Sequence, residues 1–533
     1  MGLYAPTRIE NVWIVSFEYS GIASLGGLGE AVKARAEILA GRGKSVTVLM
    51  PSHGRCYDET LRWRLAFRDI GLIDCGYRRG VNGLHYHYCI GAEEAVVNGV
   101  RIILFKGVDE ATRSILDEWS VYSKVEEKAS LLARAVKAYT RRSERLPDLV
   151  DVNDWHSVLA GVALKQEAER RGLAIPLVFT IHLSGSPSFP WHYASQDWSG
   201  LVDEAHLVWR ISRHNMEYYS SVWDSVGGNV EAFGVHEADL VVTVSQSYLR
   251  EELARKYGDW ILGKSCVVYN TTNLRIEEAE EWITRNYGSI SDDVAWRLVE
   301  GVTSKYRSWG YLDGRGVLLV ALGRLTWQKG FDVAVRALDY TRSVRLLILG
   351  LQVGDYYFED NLRRLVEERP GRVAVVLDRL PYEVRNAIVR LAKATIAPSR
   401  WEPFGLIAIE SMALGTPVIA SAIGGLKEIV VDLRGNPNGT GLLVRPEDPF
   451  DLGMAMESMG ILMSNGDPNM IPMWELRGIA GRDAESRIRG NCVKHVDVHF
   501  RDHSVYNQLE SCYEKARNMA YYRAVASYYV GVT

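Results

Sequence analysis

Long apolar runs are missing from this chain. No stretch reaches the roughly 18 apolar residues that a membrane-spanning helix needs, and the N-terminal segment is polar rather than leader-like, so the expectation is a cytoplasmic protein with no membrane partner. Blocks of like charge are missing too. Lys and Arg number 62 against 66 Asp and Glu, for a net charge of −4, without the basic stripe that nucleic acid requires. Cysteine is scarce: Cys56, Cys75, Cys89, Cys266, Cys492 and Cys512 show no CxxC pair and no neighbouring His cluster. That pattern suggests neither a zinc site nor a secreted disulfide framework. There is no Gly-x-Ser-x-Gly elbow, no internal repeat and no Asp-rich metal cluster beside the loops described below.

What is present is ordinary globular material in large amount. The 533 residues exceed what one core can hold, and 47% hydrophobic with 24% charged residues is a usual soluble balance. Fifteen Trp and 27 Tyr suit the packing of sugar faces and equally suit cores. Apolar runs at Asn11 to Phe17, Ser45 to Met50, Arg101 to Phe105, Leu149 to Val152, Leu177 to Ile181 and Leu240 to Val244 read as strands separated by helical stretches, which implies parallel βαβ units. A second series runs through Gly316 to Leu322, Val344 to Leu349, Val373 to Leu377, Ala394 to Pro398 and Pro417 to Ala420. The division expected is 1–265 for a first domain, 266–500 for a second with 266–315 as linker, and 501–533 for a C-terminal helix packing back on the first. The fold class is α/β, with two doubly wound halves facing across a cleft.

Several strand ends carry chemistry. Ser24-Leu25-Gly26-Gly27-Leu28-Gly29-Glu30 follows the first strand and opens a helix predicted over about Glu30 to Ala40. Glycine permits close backbone approach and a helix N-terminus offers N–H groups to phosphate, but the spacing is not the dinucleotide fingerprint. Asn153-Asp154-Trp155-His156 and Thr180-Ile181-His182 also end strands; Asp154 serves either an acceptor or the N-cap of the next helix. In Gly323-Arg324-Leu325-Thr326-Trp327-Gln328-Lys329-Gly330, an Arg fork and a Lys point charge can converge on a diphosphate. Ser399 to Glu410 sets Glu402 and Glu410 around a Pro-Phe-Gly turn, with Glu410 expected about two turns into a helix that begins near Ala408. Ser421-Ala422-Ile423-Gly424-Gly425-Leu426 adds backbone N–H groups after another strand. Leaving-group stabilisation by Arg, Lys and helix ends is favoured over metal.

Together these motifs, in this order and approximate spacing over about residues 11 to 445, resemble the glycogen/starch synthase family of retaining glycosyltransferases. Glu410, Ser16-Phe17-Glu18-Tyr19 and Met50-Pro51-Ser52-His53-Gly54-Arg55 look most like the archaeal members. The resemblance implies a GT-B fold and transfer of glucose from ADP-glucose or UDP-glucose to the non-reducing end of an α-1,4-glucan. It implies retention and no metal or cofactor beyond the nucleotide-sugar co-substrate. Arg324 and Lys329 would hold the diphosphate, His182 would contact the glucosyl unit and Glu402 its hydroxyls. Phe404, Gly405 and Leu406 would offer N–H groups, Glu410 would bind the ribose, and Gly26, Gly27, Gly424 and Gly425 would lie near the phosphates. Asp154 and Glu30 fall on the acceptor side. Where bacterial and plant members usually place Lys-Thr, this chain has Ser24 and Leu25, so one phosphate-binding cation is missing and donor preference stays open; Glu30 stands where Asp is usual. The alternatives are a trehalose- or sucrose-type transferase with a small acceptor, a non-catalytic glucan-binding protein, and a nucleotide-sugar epimerase. A homo-oligomer is left open.

Overall fold

The computed structural model describes residues 2–210 and 213–530. Two units divide the chain: Met1–Val244 with Leu249–Tyr269 and Tyr506–Thr533, and Ser245–Tyr248 with Asn270–Val505.

The first unit is built on a nine-stranded sheet. In chain order its strands are β1 (Asn11–Val15), β2 (Ser45–Pro51), β3 (Arg68–Arg79), β4 (His85–Val97), β5 (Val100–Gly107), β6 (Leu149–Asn153) and β7 (Leu177–Ile181). A separate hairpin, β8 (Ala205–Arg210) with β9 (Arg213–Tyr218), precedes β10 (Leu240–Thr243) and β11 (Ser265–Val267). The spatial order is β11-β10-β7-β6-β1-β2-β5-β4-β3. Every residue of β1, β6, β7 and β10 is buried. Apolar runs covered on both faces form parallel pairs, and Val12 accordingly lies beside Val46 on one side and Leu149 on the other. Only β3 and β4 run antiparallel, against each other and against β5. Their apolar residues are interrupted by charged residues and glycines, so this hairpin was not expected.

The tail helix Asp502–Val530 packs on this sheet from Tyr506 onward, as expected of the C-terminal helix. Arg523, 1% exposed, grips both oxygens of Asp239 at 3.0 Å and donates to the Ile175 carbonyl at 2.8 Å. Lys515 reaches the Ser265 carbonyl at 2.8 Å. The cysteines correct the expectation of no disulfides. Cys75 and Cys89 are bonded across β3 and β4, and Cys266 of β11 is bonded to Cys512 of the tail helix. Separations of 14 and 246 residues leave no local signature.

The second unit centres on seven strands, β12 (Ser308–Leu312), β13 (Val317–Arg324), β14 (Val344–Leu351), β15 (Arg372–Val376), β16 (Ala394–Ala397), β17 (Val418–Ser421) and β18 (Gly441–Val444). Their order is β12-β15-β14-β13-β16-β17-β18, parallel except for β12. The stretch expected as linker folds into helices Ile276–Tyr287 and Asp292–Lys305 and then β12, all inside this unit. Two helix starts move earlier than expected. One helix spans Gly27–Gly41, which puts Gly27 in its first turn; the other spans Leu406–Ala413, which makes Glu410 its fifth residue. Among the described residues no helix is long and apolar enough to cross a membrane.

Candidate functional site

In the first unit the functional loops leave the carboxyl ends of β1, β6 and β7, the edge of a parallel sheet where ligands bind. The loop after β1 runs into the helix Gly27–Gly41 through an extended Gly26. Glu18, 1% exposed, folds back under this loop, and its Oε2 accepts from the N–H groups of Leu25 at 2.9 Å and Gly26 at 3.2 Å. Its other oxygen accepts from the Tyr122 hydroxyl. A carboxylate therefore already engages the kind of backbone donors that suit an anion. Glu30, exposed in the first turn, accepts from Ser20 Oγ at 2.6 Å.

At the end of β6, Asp154 adopts φ 57°, a region that costs a non-glycine residue about 1–3 kcal/mol. Its side chain makes no N-cap bond, which removes the capping role the sequence offered. Instead its Oδ1 accepts from the backbone N–H groups of His182 at 2.8 Å and Leu183 at 3.2 Å, tying the end of β6 to the loop after β7. Burial pushes the Asp154 carboxyl up to about 7, against the pull of those two N–H groups. His182 stays partly open by surface area, yet the dense protein around it, with nearby Arg35 adding repulsion, holds the imidazole well below its ordinary range. It is a neutral ring, and its Nε2 lies 2.9 Å from Asn153 Oδ1. His156 is buried, stacked on Phe17 with ring centres 4.4 Å apart, and pushed down to about 3 by burial, so it packs the core. Glu231 secures the next residues, accepting from Ser184 Oγ at 2.6 Å and Gly185 N–H at 2.9 Å.

In the second unit the loops after β13 and β16 are stitched together. Gln328 donates to the Trp401 carbonyl at 2.9 Å, Arg400 N–H to the Gln328 carbonyl at 2.8 Å, and the Arg400 guanidinium to Asp332 at 2.8 and 2.9 Å. The result brings Lys329 Nζ to 2.6 Å from Glu402 Oε2, which also accepts from Ser399 Oγ at 3.2 Å. Arg324 ends β13 and is exposed. Gly405, at φ 108°, turns the chain into the helix Leu406–Ala413, where its carbonyl accepts from the Ala408 N–H at 2.9 Å. Glu410 on that helix is paired with Arg385. Gly424 and Gly425 allow the loop after β17 to touch the Glu402 backbone, and the Gly425 N–H donates to the Glu402 carbonyl at 3.0 Å. That N–H is thus committed to joining loops rather than left for a ligand.

Each unit therefore assembles its own cluster: Gly26, Gly27, Glu30, Asp154 and His182 in the first; Arg324, Lys329, Glu402, Phe404, Gly405, Leu406, Glu410, Gly424 and Gly425 in the second. Sequence reasoning missed the parts played by Glu18, Glu231 and Arg385. Only Glu18 had a signal, its place in Ser16-Phe17-Glu18-Tyr19 eight residues before Gly26. Among the described residues no group of three or more His, Cys, Asp or Glu side chains is arranged to hold a metal ion.

Two parallel α/β units with loop clusters at their strand ends, and a tail helix that returns to the first, define a GT-B glycosyltransferase. Solved structures agree in fold: the catalytic domain of starch synthase IV from Arabidopsis thaliana, bound to ADP and acarbose, aligns with TM-score 0.70 at 17% identity over 97% of this chain and 100% of that one. The sucrose-phosphate synthase of Thermosynechococcus elongatus aligns with TM-score 0.54 at 20% identity, over 94% and 98%. Residues 11–264 match the family described as Starch synthase catalytic domain, and residues 310–460 match Glycosyl transferases group 1. A glycogen synthase of Anaeromyxobacter sp. (strain Fw109-5) is 28% identical over 492 residues, 88% of this chain and 95% of that protein. The chain belongs to the glycogen and starch synthase family of retaining glycosyltransferases.

Proposed function

We propose that this protein transfers glucose from a nucleotide sugar to the non-reducing 4-hydroxyl of an α-1,4-glucan, with retention of configuration. The observation that carries the reading is the Lys329–Glu402 pair at 2.6 Å, in a unit whose strand-end loops also carry Arg324 and the N-terminus of the helix Leu406–Ala413. An ammonium and a guanidinium at a strand end suit a departing diphosphate, whose negative charge grows as the glycosidic bond breaks. Glu402, held by Lys329 and Ser399, accepts from glucose hydroxyls, and Glu410, held by Arg385, accepts from the ribose. Gly26 and Gly27 bring backbone to the phosphates, and neutral His182 hydrogen-bonds the glucosyl unit rather than meeting it as a cation. The acceptor hydroxyl attacks from the face the diphosphate leaves, and the leaving phosphate takes its proton. Asp154 and Glu30 serve the acceptor side. The donor base stays open between adenine and uracil, because Ser24 and Leu25 replace the family's usual cation.

Radiolabel transfer from ADP-glucose and from UDP-glucose onto glycogen, run in parallel at moderate and high temperature, tests the reading. Labelled α-1,4-glucan from at least one donor is expected. Failure of both donors sinks it, and label found only on a small sugar acceptor moves the protein to the trehalose- or sucrose-type class.

A further inference from the structure

The side chains beneath His182 form a polar chain that glucosyl transfer as described does not use. Asn153 places its Oδ1 2.9 Å from His182 Nε2. Which end of that amide faces the ring is decided on its other side. There Nδ2 lies 3.3 Å from the Asp151 carbonyl oxygen and 3.5 Å from Asp151 Oδ1, both acceptors. The NH2 must therefore face Asp151 and the oxygen must face His182. An amide oxygen only accepts, so Nε2 carries the ring proton and Nδ1 the lone pair.

Asp151 is itself held at both oxygens. Thr180 Oγ1 donates to Oδ1 at 2.7 Å and the Tyr513 hydroxyl to Oδ2 at 2.9 Å. Asp151 and Asn153 are each 2% exposed, and Thr180 and Tyr513 are fully buried. Three of the four residues come from β6 and β7; Tyr513 alone arrives from the tail helix, 362 positions from Asp151. Its neighbour Cys512 is bonded to Cys266 of β11, which anchors the helix at that turn. Burial and the Asp151 charge raise the phenol well above its ordinary range, so it remains a donor.

We propose that Tyr513 is a positioning residue for His182, acting through Asp151 and Asn153 to hold the imidazole in its Nε2–H tautomer. Without the phenol hydroxyl, Asp151 keeps one oxygen unpaired in a dry site and its grip on the Asn153 amide loosens. A flipped Asn153 would offer NH2 to Nε2 and move the ring proton to Nδ1. The kinetic consequence rests on the glucosyl-transfer reading; the tautomer does not.

The test is ¹⁵N NMR of histidine-labelled protein, with the His182 signal assigned by His182→Gln, alongside transfer kinetics. Wild type should show His182 protonated at Nε2, and Tyr513→Phe should show a mixture of tautomers. In the same variant kcat should fall about tenfold, with donor KM within about twofold. In a His182→Ala background the added Tyr513→Phe change should alter kcat less than about twofold. An unchanged tautomer in Tyr513→Phe, or an equal kcat loss in both backgrounds, overturns the proposal. Should Tyr513→Phe fail to fold, Asp151→Asn carries the same tautomer test, because it removes the carboxylate that links the Tyr513 hydroxyl to the Asn153 amide; an unchanged tautomer there overturns the proposal equally. A wild type that fails to glucosylate glycogen defeats the functional reading and leaves the NMR result standing.

Discussion

Lys329 Nζ stands 2.6 Å from Glu402 Oε2, across two loops 73 residues apart. The side chains are 18% and 11% exposed, so water screens the pair only partly. Each charge fixes the other, and both point from strand ends. Lys329→Ala should lower kcat by roughly 100-fold, the scale of one lost contact to developing charge, while the thermal midpoint moves little. Glu402→Gln should also act mainly on kcat. Near-normal turnover in Lys329→Ala would remove the ammonium from the mechanism.

Glu410 should fail differently. Its partner Arg385 orients it on the helix Leu406–Ala413, one turn beyond the Gly405 cap. Glu410→Ala and Arg385→Ala should each raise donor KM about tenfold and leave kcat within about threefold, the signature of lost uniform binding. Steady-state kinetics over a range of donor concentration decides this; a loss confined to kcat would place Glu410 nearer the reacting carbon.

Two glycines separate ligand approach from packing. A Cβ at Gly26 meets nothing within 4 Å, whereas one at Gly424, with φ 43°, would lie 2.0 Å from the Glu402 carbonyl oxygen. Gly424→Ala should therefore cost about 1–3 kcal/mol in strain and lower kcat by displacing Glu402. Gly26→Ala should leave stability within about 0.5 kcal/mol and raise donor KM severalfold. Urea melts paired with kinetics give both numbers, and an unaltered KM in Gly26→Ala would mean that no ligand comes close to this backbone.

Asp154 makes stability depend on pH. Its folded carboxyl sits at about 7 against an ordinary 3.8. Between those values the folded protein keeps a proton that the unfolded chain has released, so this group's contribution falls as pH rises from about 4 to about 7. The full effect is at most about 4 kcal/mol, from about three pKa units. Asp154→Asn retains an oxygen for the His182 and Leu183 N–H groups and removes the titration. The variant should gain on wild type as pH goes from 4.5 to 7.5 in urea-midpoint measurements. A difference that stays constant across that range would show that Asp154 does not titrate there.

Much of this was legible in the residues because buried parallel strands are continuous apolar runs. Asn11–Val15, Leu177–Ile181 and Val344–Leu351 announce themselves, and a motif placed after such a run sits at a strand end by construction. What stayed hidden depends on distant partners. The β3–β4 hairpin has polar residues on its exposed face and glycines at its irregularities, so no local pattern marks it. Glu18 stands in a recognisable motif, but its bonds to the Leu25 and Gly26 N–H groups show only once the turn returns those residues to it. Cys266 finds Cys512, and Asp151 finds Tyr513, only once the tail has crossed the sheet.

That crossing also sets an order of events during synthesis. β6 leaves the ribosome long before the residue that completes its polar floor, and the whole second unit is made in the interval. Domains generally fold as they emerge, yet the first unit cannot finish until the second has been translated. Its sheet must persist meanwhile with Asp151 lacking the Tyr513 hydroxyl and Asp239 lacking Arg523, two buried carboxylates awaiting donors from the last segment of the chain. Asp151 and Asp239, made well before the second unit, are thus among the last groups to reach their finished surroundings.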